Sequence, residues 1–380
     1  MKDSNVPESG KDIREILGIA LKRKDVISLA IGEPDFPTPK SVIDATKESL
    51  DNGTTNYSQP NGVPELRHAL VKKLREENGI DSSEDDIIVT CGSSEALFIA
   101  TFAAMKPGEK TLIPDPGYMD YSEVVRMLNG TPVPTKLSNE GFSFDSDILR
   151  KTIDEKTRIL FLNSPSNPTG TVMSKREMEE IADIATENNM LIFSDEAYEK
   201  YVYDNEKHYS IGSMNGMEDK VVTFNTFSKT YSMPGFRLGY CKGPSDMIKK
   251  MIQLKFAITV SSPAFLQHGA VEALKIPEKD IQKNVNVFDD KRKFASKRLK
   301  EIGFDFIIPK GAFYIFFRTL GGMKSQEFSE FLIREAKVLT VPGNQFGSSG
   351  EGFIRMSYAT SKDKISDAMD KIEMAVRKIK

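Results

Sequence analysis

The chain of 380 residues offers little to thiol or metal chemistry. It has two cysteines, Cys91 and Cys241, far apart in sequence. A disulfide framework is therefore not expected, and a reducing cytoplasm fits. Its three histidines, His68, His208 and His268, share no metal-ligand spacing and have no cysteine pair beside them. Zinc chemistry and a Ser-His-Asp triad are set aside, and no metal is expected. No apolar run approaches the roughly 18 residues a membrane helix needs. The opening "MKDSNVPESGKDIREIL" has no apolar signal core. The net charge of −3 makes neither nucleic acid nor an anionic membrane a favoured partner. Internal repeats and low-complexity segments are absent.

What is present is the composition of a soluble globular protein, 39% hydrophobic and 28% charged. The length exceeds one ordinary core and suggests a large domain with a smaller one. Residues 1–10 are polar and expected to be flexible. "PELRHALVKKLREENG" sets Leu66, Ala69, Leu70 and Leu74 on one helical stripe. "SKREMEEIADIATENN" opens with Ser174 and Glu177 at capping-box spacing. Between helices lie seven short β-branched or aromatic runs: "DIIVT", "KTLIP", "TPVPT", "RILFLN", "MLIFSD", "VVTFN" and "RLGYC". None alternates with polar residues, so each reads as a strand covered on both faces. Strands alternating with helices predict an α/β fold with a seven-stranded, mainly parallel sheet. After Pro244 a long helical stretch is expected over about 244–302, then an α+β layer. The division predicted is a large domain over 42–285, with 1–41 and 286–380 forming the smaller one.

Ligands of an open α/β sheet bind beyond the carboxyl ends of its strands, so the residues following each strand carry the chemistry. After "DIIVT" comes "CGSSEALFIATFAAM", in which Gly92, Ser93 and Ser94 turn into an apolar helix. Free N–H groups, two hydroxyls and the helix dipole suit a phosphate, although a plain serine N-cap would look the same. After "RILFLN" comes "SPSNPTG", whose one strong planar donor is Asn167. After "MLIFS" come Asp195 and, three residues on, Tyr198. After "VVTFN" comes "TFSKTYSMPGFRLGY", with Lys229 among hydroxyls and aromatics and Arg237 eight residues later.

Phosphate donors, an amide, a carboxylate and a lysine at successive strand ends match the needs of pyridoxal phosphate. Its aldehyde needs a lysine for a Schiff base. Its phosphate needs a helix N-terminus and an arginine, and its pyridine nitrogen needs a carboxylate to stay protonated.

With these motifs the chain resembles the fold-type I aminotransferases, class I/II, of the aspartate aminotransferase family, and is similar to their archaeal aromatic and aspartate members. The resemblance covers about residues 12–378 and rests on "ISLAIGEPDFPTP", "YSQPNGVPELR", "SPSNPTG", "SDEAY", "FSKTYSMPGFRLGY" and "FIRMSYA". It implies that Lys229 is the Schiff-base lysine and proton carrier, and that Asp195 pairs with the pyridinium. Asn167 and Tyr198 would donate to the phenolate oxygen. Ser93, Ser94, Arg237 and Thr226 would hold the phosphate, with Ser228 a rival hydroxyl to Thr226. Tyr57 would reach the phosphate of a second subunit, making the enzyme a homodimer, and Tyr118 would stack on the ring. Gly32 would let backbone approach the substrate carboxylate, which Arg355, beside Asn167, would clamp.

The function so implied is transfer of the amino group of an aspartate or aromatic L-amino acid to a 2-oxo acid such as 2-oxoglutarate, in the cytoplasm. A carbon–sulfur β-lyase on the same fold would carry nearly the same site residues. Dicarboxylate-specific relatives place a partner-subunit arginine before the substrate side chain. Here "KFAITVSSPAFLQH" supplies only Lys255, and the reader of the side chain is left open.

Overall fold

The computed structural model describes Gly18, residues 25–138 and residues 140–379. The first ten residues, expected to be flexible, lie outside the described residues, as does most of the segment up to Lys24. The short strand β1 (Ile27–Ser28) is followed by the seven predicted runs, all of which form strands. These are β2 (Ile87–Thr90), β3 (Lys110–Asp115), β4 (Thr131–Lys136), β5 (Thr157–Asn163), β6 (Leu191–Asp195), β7 (Val221–Thr226) and β8 (Gly239–Lys242). They make one sheet in the order β2-β8-β7-β6-β5-β3-β4. Only β8 runs against its neighbours, β2 and β7.

Successive residues of the central strands enter different cores. Ile159 and Phe161 of β5 join Ile88, Ile99, Phe193 and Phe224 on one face. Leu160 and Leu162 join Leu112, Met178, Ile181 and Ile192 on the other. A parallel sheet buried on both sides needs apolar residues at every position, which is why these runs lack alternation. β4 departs from that expectation. It is an edge strand with mostly exposed or half-buried residues, and Pro132 and Pro134 suit an edge, where a missing N–H costs no ladder bond.

Helix Pro64–Asn78 buries Leu66, Leu70 and Leu74 and ends at Gly79 in the left-handed conformation. Ala69, expected on the same stripe, is half-buried. Helix Lys175–Glu187 has the predicted capping box, with both reciprocal bonds made by Ser174 and Glu177. The helical stretch expected over 244–302 is three helices, Ser245–Thr259, Ala264–Ala273 and Glu278–Ile302. The breaks precede Pro263 and Pro277, because proline disfavours helical backbone at the residue before it. At the first break Val260 has φ +60°, a left-handed conformation strained for a β-branched residue.

Beyond the last helix lie β9 (Tyr314–Arg318), β10 (Val338–Leu339), β11 (Val341–Pro342) and β12 (Phe353–Ser357). β12 is the centre of an antiparallel sheet, β11-β12-β9. β1 pairs in parallel with β10, which ties the early segment to this layer.

Candidate active site

Because β2, β5, β6 and β7 run in parallel, the residues after them emerge at one edge of the sheet. β8 runs the other way, so Arg237, which precedes it, begins at that same edge. One cavity of about 290 Å³ is lined by Gly32, Ser93, Ser94, Tyr118, Asn167, Asp195, Tyr198, Thr226, Ser228, Lys229, Arg237 and Arg355. The predicted site residues therefore meet in one place, with the exception of Tyr57, which is 84% exposed and lines no part of this cavity.

Helix Ser93–Ala104 starts at Ser93 with Gly92 as its N-cap, and no side chain caps its free N–H groups. A Cβ on Gly92 (φ +82°) would lie 2.4 Å from Nη2 of Arg237. The guanidinium thus sits directly against the turn, and helix N-terminus and cation converge as a phosphate seat requires. Thr226 caps the short helix Phe227–Thr230 by accepting from the Ser228 N–H. Its hydroxyl also lies 3.0 Å from Ser228 Oγ and 3.2 Å from the Leu238 carbonyl oxygen, so it is committed to its own turn.

Lys229 is half-buried, and its ammonium donates to the Gly32 carbonyl oxygen at 2.6 Å. Burial pushes its pKa down to about 8, with Glu33 opposing and Arg355 and Arg237 assisting. Burial also pushes Asp195 up to about 6, against hydrogen bonds from the Tyr121 hydroxyl and the Ala197 N–H. Tyr198 lies in a turn rather than a helix, and its hydroxyl is 2.9 Å from that of Tyr314. Asn163 steers the loop after β5, donating to the Asp195 carbonyl oxygen and accepting from the Asn167 N–H.

Arg355 sits in the central strand β12, paired with Phe316 and Val341. It is buried, and its Nη1 donates to Asn167 Oδ1 at 3.0 Å and its Nη2 to the Ala30 carbonyl oxygen. Its Nε has no hydrogen-bond partner. An unsatisfied buried guanidinium N–H is costly, and the residue itself lines the cavity, where a carboxylate can meet its positive charge.

Three contributions were not read from the sequence. Tyr121 holds Asp195 at 2.7 Å; it lies three residues after Tyr118 in the sequence. Tyr314 lines the cavity from β9. Lys255 is fully buried and ion-paired with Glu95 at 2.9 Å, which removes it as a reader of acidic side chains. Glu196, Glu199 and His208 also come together, within 4.8 Å of one another, but Lys73, Asn78 and Ser210 already occupy their carboxylates.

The donor set fits pyridoxal phosphate: a half-buried amine, a buried carboxylate, a phosphate seat, and a guanidinium lining the same cavity. No described helix is long and apolar enough to cross a membrane.

The model of "Aminotransferase class I and II" matches residues 24–372. An aspartate aminotransferase of Pyrococcus abyssi is 44% identical over 375 residues, 97% of this chain and 96% of its own. An aromatic-amino-acid aminotransferase of Thermococcus litoralis is 41% identical with the same coverage. The solved aromatic aminotransferase of Pyrococcus horikoshii OT3 superposes with a TM-score of 0.92 at 40% identity, covering 96% of this chain and 100% of its own. Members of the matched family depend on pyridoxal phosphate and take amino-acid and keto-acid substrates. With the family matched along nearly its whole length and relatives this similar, the chain belongs to the class I and II aminotransferases, enzymes of amino-group transfer.

Proposed function

We propose that the protein binds pyridoxal 5′-phosphate through Lys229 and moves the amino group of an aspartate or aromatic L-amino acid to a 2-oxo acid such as 2-oxoglutarate. The observation that carries this reading is Lys229 lining one cavity with Asp195 and Arg355. The cofactor would supply a carbonyl that links to amines and a ring that takes up electrons when Cα loses its proton. Ser93, Ser94 and Arg237 hold the phosphate, with a hydroxyl from Thr226 or Ser228. Since Thr226 is engaged in its own turn, Ser228 is the freer donor. Asp195, held by Tyr121, would pair with the ring nitrogen, and Tyr118 would stack on the ring. Asn167 and Tyr198 donate to the phenolate oxygen.

Arg355 binds the substrate carboxylate, with Gly32 leaving backbone room beside it. This fixes Cα relative to Lys229. A pKa of about 8 leaves the amine partly neutral at neutral pH, so Lys229 can take the Cα proton and return it elsewhere. Holding both groups in one geometry spares the entropy of bringing them together.

The reading includes a cytoplasmic homodimer, with exposed Tyr57 reaching the partner's phosphate. It also includes a cofactor domain over 42–285 and a second domain of 1–41 with 286–380. The pairing of β1 with β10 supports the grouping of the early segment with the second domain, and residue 285 falls inside helix Glu278–Ile302.

The test is borohydride reduction of the yellow holoenzyme followed by peptide mapping. The adduct is expected on Lys229, and an adduct on another lysine would overturn the assignment. Mixing the holoenzyme with aspartate, alanine, phenylalanine, tyrosine, kynurenine and cystathionine, and following the absorbance change of the half-reaction, defines the amino donor.

A further inference from the structure

Tyr314 opens β9 and is 2% exposed. Its hydroxyl lies 2.9 Å from that of Tyr198. Its ring meets the Tyr198 ring edge-on, with centroids 5.7 Å apart. The Arg355 guanidinium stands over the same ring, 4.5 Å from its centroid, with Phe346 also against it at 5.0 Å. A Cβ on Gly32 would fall 1.8 Å from the Tyr314 hydroxyl. One side chain therefore touches the donor assigned to the cofactor, the clamp assigned to the substrate, and the backbone that carries Gly32.

We propose that Tyr314 is a positioning residue for both halves of the reaction: its hydroxyl fixes the direction in which Tyr198 donates, and its ring sets the plane of Arg355. The inference rests on the reading that the cavity holds pyridoxal phosphate.

Each phenol has one proton, and in the Tyr198–Tyr314 pair either can donate. When Tyr198 gives its proton to the phenolate oxygen of the cofactor, its own oxygen can only accept. Tyr314 is the hydroxyl in place to donate. Two phenols in series polarise each other, so the terminal donor is stronger than an isolated one. Burial keeps both phenols protonated. The other charged or titratable groups acting on Tyr198 are Tyr118, Arg355 and Lys229, and none depends on the Tyr314 hydroxyl for its place in the chain. The ring acts separately. A guanidinium held between two aromatic faces is attracted to both, and its plane is thereby fixed. The guanidinium, whose residue lines the cavity, is then held in one orientation for an incoming carboxylate.

The two roles separate by substitution. Tyr314→Phe removes the hydroxyl and keeps the ring, and Tyr314→Leu removes both. The first readout is the pH midpoint at which the lysine-bound cofactor changes its absorption, titrated without substrate. Above that midpoint the linking nitrogen has lost its proton, and the phenolate oxygen depends more on Tyr198. Tyr314→Phe should therefore raise the midpoint by roughly half a pH unit, as expected for weakening one hydrogen bond. Its KM for 2-oxoglutarate should stay within about twofold of wild type. Tyr314→Leu should show the same upward shift and a KM raised by about tenfold.

Tyr198→Phe should raise the midpoint further, and adding Tyr314→Phe to it should change nothing more. An unmoved midpoint in Tyr314→Phe, or an equal shift in the Tyr198→Phe background, would overturn the role of the hydroxyl. An unchanged KM in Tyr314→Leu would overturn that of the ring. A wild-type protein that takes up no pyridoxal phosphate, or whose borohydride adduct lies on another lysine, overturns the cofactor reading itself, and is told apart by failing before any substitution is made.

Discussion

Lys255 and Glu95 form an ion pair of 2.9 Å whose lysine is completely enclosed. The Glu95 carboxylate also accepts from the Cys91 N–H and the Thr259 hydroxyl, so it joins the turn before Ser93 to the end of helix Ser245–Thr259. Lys255→Met leaves a buried carboxylate uncompensated next to the proposed phosphate seat. Removing one partner of such a pair costs about 3–5 kcal/mol. Urea unfolding should show a loss of that order, and equilibrium dialysis should show weaker cofactor binding. Lys255→Met with Glu95→Gln should recover most of both, and a double variant no better than the single one would show that the charge is not the cause.

Tyr121→Phe should shift the acid limb of the kcat/KM profile to higher pH. The Tyr121 hydroxyl stabilises the charged form of Asp195, opposing the burial that holds it at about 6. Without this donor the Asp195 pKa rises, and the carboxylate is lost at a higher pH as the solution is acidified. A limb that stays in place would mean another group controls it.

Arg355→Lys should weaken all substrates alike, because they share the α-carboxylate. An ammonium cannot reproduce the planar two-point contact. Hydrogen bonds to a charged group contribute about 1.5–3 kcal/mol, roughly one to two powers of ten in kcat/KM. Rate constants for phenylalanine, aspartate and 2-oxoglutarate should fall by similar factors. A loss confined to the acidic substrates would reassign Arg355 to the side chain.

Tyr57 is 84% exposed and outside its own chain's cavity. In the proposed homodimer it completes the partner's site. A Tyr57→Ala subunit mixed with a Lys229→Ala subunit should then form hybrids with one intact site, and activity should exceed the sum of the two parents. Assay after remixing the subunits decides this, and strict additivity counts against a shared site.

Six of the seven large-sheet strands were legible because burial on both faces leaves an unbroken apolar run in the sequence. The residues after them were legible for a related reason: in a parallel sheet, strand ends far apart in the chain share one edge. Lys229, Asp195, Asn167 and Ser93 needed no knowledge of long-range packing to be grouped. Tyr314, Tyr121 and the Glu95–Lys255 pair were illegible because their roles lie in partners far along the chain, such as Lys255, which is 160 positions from Glu95. The breaks at 260–263 and 274–277 are a different case. Pro263 and Pro277 stood in the sequence, and the helical periodicity on either side concealed them. β4 looked like an interior strand because its exposure depends on being last in the sheet order.

The reversal of β8 makes one loop a ruler. Thr226 pairs with Gly239 across the β7–β8 hairpin, so Lys229 and Arg237 both lie on the segment between two hydrogen-bonded neighbours. The span between amine and guanidinium is set by the length of that segment, not by how separate helices settle against the sheet. The lysine proposed to bond the cofactor and the arginine proposed to grip its phosphate are thus gauged to each other by a single stretch of backbone. Substitutions elsewhere in the core can shift this stretch as a unit while leaving its internal measure unchanged.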